Sequence, residues 1–190
     1  MSTPYWRRIL RAGAPAAALH ELAASQDWQQ IADEPRRHHH SRRLGWKATE
    51  DVEVHLLEFF THGQRAVVLA GEGPEGGPVA ASLEAALDFR TLDEIYADTT
   101  SDDPRAALSG FYALTELTSL VGDDPRTSDA YLHVLQHKEM VVRAAALRLT
   151  GAYRAWPGLK DALIARRSLE LDLAELVDEM IEYLEEEESG

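Results

Sequence analysis

Eight histidines and thirty-three acidic residues carry most of the possible chemistry in this 190-residue chain, and their spacing limits what they can do. His133 and His137 stand four apart, which puts both on one face of a helix. Such a pair could begin a metal site. A closed or catalytic site needs further ligands in a defined geometry, and no His-Glu-x-x-His or Cys/His pattern supplies them. Three more histidines lie in RRHHHSRR, residues 36–43. Consecutive residues share no face of a helix or strand, so three adjacent imidazoles do not readily chelate one ion. No metal is therefore expected. The same segment could serve as a basic patch for an acidic partner or for the acidic half of this chain.

Nucleophilic and nucleotide chemistry are also poorly supplied. There is no Gly-x-Ser-x-Gly elbow, and with no cysteine there is neither a thiolate nor a disulfide. Asp172, Glu175, Asp178, Glu179 and Glu182 recur near the C-terminus. Paired carboxylates can act as acid and base, but a run this dense without an apolar pocket reads as a solvated face. GEGPEGG, residues 71–77, contains Gly71-x-Gly73-x-x-Gly76 between an expected strand and an expected helix. Its Glu72 and Glu75 would repel a pyrophosphate, and Pro74 removes a backbone donor. The segment is read as a loop, and the chain as a non-enzyme without a cofactor.

Charge is unevenly spread. The first 50 residues carry a net +3 and residues 51–190 a net −17. The last twenty residues hold nine acids and no base. An acidic body repels nucleic-acid phosphates and attracts basic partners. No apolar run approaches the length that spans a bilayer, and the start lacks the apolar stretch of a secretory signal. A cytoplasmic location is expected.

The elements that must carry these residues follow from periodicity. Tyr5, Trp6, Ile9 and Leu10 have helical spacing, Ala16–Ala24 resumes it, and Asp27 could cap a helix from Trp28 to Ala32. Residues 4–35 are thus read as two or three short helices. Val52, Val54 and Leu56 alternate with Glu53 and His55, the signature of a strand. A hairpin is expected over about 52–70, with Leu44–Ala48 as a possible third strand. Because an isolated hairpin is marginal, a helix over about 78–89 should pack on it. Asp102-Asp103-Pro104-Arg105 recurs as Asp123-Asp124-Pro125-Arg126, and an Asp cap followed by Pro opens a helix. Helices are expected over about 91–100, 104–120, 125–137 and 140–153, then one opened by Trp156-Pro157-Gly158 and running to about 166, and a last one over about 171–187. The expected fold is mostly α, with a small α+β part over 1–100 and helical repeats over 101–190.

DDPRAALSGFYAL and KEMVVRAAALRL, followed by PGLKDAL, resemble HEAT repeats over about residues 102–187. Val142-Arg143-Ala144-Ala145 is the closest match, with Pro104-Arg105-Ala106-Ala107 a looser one 38 residues earlier. The resemblance implies an α-solenoid, capped here by the hairpin unit, with Arg143 making hydrogen bonds between repeats. It also implies an adaptor or scaffold that binds protein. The expected partner is a protein with a basic surface, met through His133, His137, Trp156, Glu175, Asp178 and Glu182. An immunity protein or antitoxin that blocks a toxin is the alternative. An enzyme accessory or metal-dependent enzyme ranks below it.

Overall fold

The alternation at Val52–Leu56 builds the centre of a five-stranded antiparallel sheet. The computed structural model describes residues 6–11, 13, 16–35, 41–59, 62–71, 76–122, 124–148, 158–169 and 171–189. The strands are β1 (Trp6–Ile9), β2 (Gln29–Glu34), β3 (Ser41–Lys47), β4 (Val52–Phe59) and β5 (Gln64–Gly71), in sheet order β1-β5-β4-β3-β2. The last four form a meander, and β1 pairs with β5.

Registry sorts the side chains into two faces. Leu44 lies opposite Leu56, and Trp46 opposite Val54, which in turn faces Leu69. This face packs on α1 (Ala16–Ser25) and α2 (Gly76–Ala86) through Leu19, Ala23, Val79 and Leu83. Leu19, Leu44, Leu56, Leu69 and Leu83 are all fully or almost fully buried. Each such side chain contributes roughly 1.5–3 kcal/mol relative to exposure.

Two short helices expected before residue 35 are strands instead. Trp6 and Ile9 suggested a helix because they stand three apart, but in β1 they bury on opposite faces of the sheet. Asp27 does not cap a helix. It adopts a left-handed φ of 55° in the turn that leads from α1 into β2. The hairpin and third strand occur as expected, and α2 begins at Gly76, ahead of the expected start at residue 78.

The chain divides into two compact units, Met1–Thr91 and Leu92–Gly190. The second contains α3 (Leu92–Thr99), α4 (Pro104–Val121), α5 (Pro125–Leu135), α6 (Met140–Arg148), α7 (Leu159–Arg167) and α8 (Ala174–Ser189), with a 3-10 turn at Leu171–Leu173. The 91–100 helix, expected in the first part, therefore belongs to the second unit. Both Asp-Pro signals act as read. Asp103 Oδ1 accepts from Arg105 N at 2.8 Å, and Asp124 Oδ1 accepts from Arg126 N at 2.9 Å. Neighbouring helices pack as α3 on α4, α5 on α6 and α7 on α8, around a core that includes Phe111, Tyr131, Val142, Leu163 and Val177. The expected extension of the 140–153 helix past Arg148 lies outside the described residues.

Gly110 fixes how closely α3 and α4 approach. A Cβ there would press on the amide nitrogen of Thr99 and come within 2.7 Å of Thr99 Oγ1. A second clasp joins α3 to α5. The hydroxyls of Tyr96 and Thr127 hydrogen-bond at 2.7 Å, and Thr127 Oγ1 also reaches Val121 O at 2.7 Å. Arg126 lies over the Tyr96 ring and binds Asp93 and Asp124.

Candidate functional site

The acidic C-terminal sequence becomes a surface through the periodicity of α8. Leu173, Val177, Met180 and Leu184 follow intervals of four, three and four, and all are buried. Glu175, Glu179, Glu182 and Glu186 follow the same intervals two residues on, and all are exposed. The helix thus sets a row of glutamates opposite its apolar seam. No basic residue occupies its last turn, although the negative end of the helix dipole favours one there.

α7 runs beside α8 and is tied to it at both ends. Lys160 Nζ meets Glu185 Oε1 at 3.2 Å, and Arg167 holds Asp178 through contacts of 2.6 and 2.9 Å. Asp178 therefore differs from the other acids expected to contact a partner, because its carboxylate already serves the α7–α8 pair. Glu175 and Glu182 keep exposed positions. The same hairpin exposes large apolar side chains: Ile164 is 52% exposed, Leu169 71% and Leu171 84%. Leu169 and Leu171 flank the turn between the helices, and Ile164 lies between Lys160 and Arg167 along α7. A glutamate row and bare apolar side chains on one hairpin match a basic surface that carries apolar groups of its own.

His133 and His137 do come close, with ring centroids 6.5 Å apart, but they do not form a metal pair. His137 Nδ1 accepts from Glu139 N at 3.0 Å. The network therefore assigns the proton of the neutral ring to Nε2, which leaves no lone pair there for an ion. The same atom is buried and has no hydrogen-bond partner among the described residues, as is His133 Nε2. His137 is 4% exposed, so it does not present a surface to a partner. Arg143 serves the same turn, donating to His137 O at 2.6 Å and Lys138 O at 2.8 Å. Trp156, and His38, His39 and His40, lie outside the described residues. Among those described, no group of three or more histidines or acids could hold a metal ion.

One cluster was missed in the sequence, because it depends on the register of β3 against β4. Gly45 pairs with His55, and the imidazole lies over the glycine, where a Cβ would come within 2.8 Å of Nδ1. Arg43 Nε donates to His55 Nδ1 at 3.3 Å, and His55 Nε2 lies 2.9 Å from Glu53 Oε2. Arg43 Nη1 also faces Glu34 Oε1 at 3.8 Å. Burial pushes the His55 pKa down, and the Arg43 charge adds to this, against the hydrogen bond to Glu53. Both ring nitrogens are occupied. The imidazole therefore acts as a neutral bridge between Arg43 and Glu53, with no free lone pair for general-base work. Arg42 is engaged as well, by Asp33 at 3.2 Å and Glu58 at 3.9 Å. The two arginines at the end of RRHHHSRR thus neutralise acids within the sheet.

Among the described residues no helix is long and apolar enough to cross a membrane. Compared with family models, curated proteins and solved structures, the chain matches none.

Proposed function

We propose that the chain is a non-enzymatic protein-binding module that takes a partner with a basic surface on the α7–α8 hairpin. The observation that carries this reading is the exposed row of Glu175, Glu179, Glu182 and Glu186 on a hairpin whose connection also leaves Leu169 and Leu171 uncovered. Acids alone would be consistent with solubility. Apolar side chains left bare on the same hairpin add a reason for contact, since the centre of an interface is apolar and its rim polar. Helices that pack in consecutive pairs support the HEAT-like adaptor reading, because stacked pairs create extended surfaces for protein recognition.

The test is a capture experiment from the native host with the intact chain as bait. A basic protein should be recovered at low salt and lost at high salt. Triple charge reversal, Glu175→Lys with Glu179→Lys and Glu182→Lys, should abolish its recovery. Asp178 is left intact, since reversing it would break the pair with Arg167. Equal recovery by wild type and the triple variant, or a partner held regardless of salt, sinks the proposal.

A further inference from the structure

The two edges of the sheet are treated differently. At β1 the chain itself covers the end of the edge: Arg90 N donates to Ile9 O and, just past the strand, Arg11 N donates to Asp88 O, both at 2.9 Å, and Leu10 bridges Phe89. β2 ends the sheet at the other side, and no described strand pairs with its outer edge. Five of its six residues are exposed, and Ile31 is 42% exposed at an irregularity between Gln30 and Ala32. An open edge offers unpaired amides and carbonyls to any second strand.

We infer that β2 is a self-association site, and that its occupant is the β2 of a second copy of this chain. The order of residues in Gln29–Glu34 carries this choice. Two copies related by a two-fold axis pair antiparallel. With the strands fully overlapped, Gln29 faces Glu34, Gln30 faces Asp33, and Ile31 faces Ala32. Each acid then meets a carboxamide able to donate to it, and the apolar residues meet at the centre. Parallel pairing would set Asp33 against Asp33 and Glu34 against Glu34, which like charge disfavours. Within each copy the two acids are already partly neutralised, Asp33 by Arg42 and Glu34 by Arg43. The pairing covers only a short strand, so the dimer is weak and depends on concentration.

Two measurements on the full-length protein test this. Sedimentation velocity across a range from micromolar to near-millimolar should show wild type moving from monomer to dimer, and Ile31→Lys staying monomeric throughout. Because the chain has no cysteine, the double variant Gln30→Cys/Asp33→Cys gives a clean register probe. Oxidation should yield a covalent dimer, since directly paired strand residues lie within disulfide reach. Neither single-cysteine variant should dimerise to the same extent. Wild type that stays monomeric throughout, or a double variant that yields no more covalent dimer than the singles, overturns the inference. The irregularity at Ile31 would then be a guard against edge pairing. Because neither measurement involves the basic partner or the α7–α8 hairpin, this inference and the proposed function stand or fall separately.

Discussion

Replacing Gly110 by alanine sets two opposed effects against each other at one site. In a helix, alanine is favoured over glycine by about 1 kcal/mol, so substitution at an unconstrained position should stabilise. At Gly110 the new methyl group meets the backbone of Thr99, with Thr99 Oγ1 only 2.7 Å away. Thr99 is fully buried, and its hydroxyl is already bonded to Ile95 O at 2.7 Å, so neither atom can turn aside. The relief must come from moving α3 off α4, and overpacking of this kind costs roughly 1–3 kcal/mol or more. Contact with backbone places the cost near the top of that range. The net loss is then about 2 kcal/mol, a fall of roughly 4–8 °C in Tm for a chain of this size. Gly77→Ala in α2 is the matched control, because a Cβ there meets nothing within 4 Å. It should be neutral or stabilising by up to about 1 kcal/mol. Urea and thermal unfolding followed by circular dichroism would read both variants. If Gly110→Ala is as stable as Gly77→Ala, the close crossing of α3 and α4 is wrong.

Two further outcomes follow from the caps and from the buried histidine. Asp103→Ala should cost about 1 kcal/mol as a lost N-cap. Asp124→Ala should lower the Tm by more, because Asp124 also binds the Arg126 guanidinium that covers Tyr96. Equal losses would refute that added role. The pH prediction rests on His55, whose folded pKa lies below the ordinary 6.5. The unfolded chain then takes up a proton first as pH falls, so the contribution of neutral His55 is complete above about 6.5 and is lost as pH drops toward the lower folded value. His62, also lowered by burial, acts in the same direction. The urea midpoint should therefore fall between about pH 7.5 and about pH 5.5, and less steeply in His55→Gln. An unchanged slope in that variant would remove His55 from the account.

Signals confined to one element were the ones legible in the sequence. Alternation at Val52–Leu56 gave β4, and the Asp-Pro pairs gave the starts of α4 and α5. The last expected helix, over about 171–187, is α8, but the row of Glu175, Glu179, Glu182 and Glu186 separates from the other acids there only once the buried seam is placed. β1 was misread because one strand buries Trp6 on one face and Ile9 on the other, leaving a three-residue spacing that mimics a helix. β2 carried no alternation, since an exposed edge strand has no inner face to keep apolar. The His55 cluster needed the pairing of Gly45 with His55 and of Arg43 with Leu57, a matter of register between strands. The pairing of Asp178 with Arg167 likewise depends on how α7 lies against α8.

The place of β1 in the sheet bears on the order of events as the chain emerges from the ribosome. Trp6–Ile9 pairs with Ala66–Leu69, and Ile9 at its end also accepts from Arg90 N. β1 thus waits for most of the first unit before it can take its place. Until then the outer edge of β5 stands bare, and contacts so distant in sequence form slowly. The helical unit is different, since its closest pairs, α3 with α4, α5 with α6 and α7 with α8, join neighbours in sequence and can form soon after synthesis. A nascent-chain experiment should therefore find protease resistance in the first unit only once Arg90 has cleared the exit tunnel. The interval before that is when the open edge is most exposed to wrong pairing.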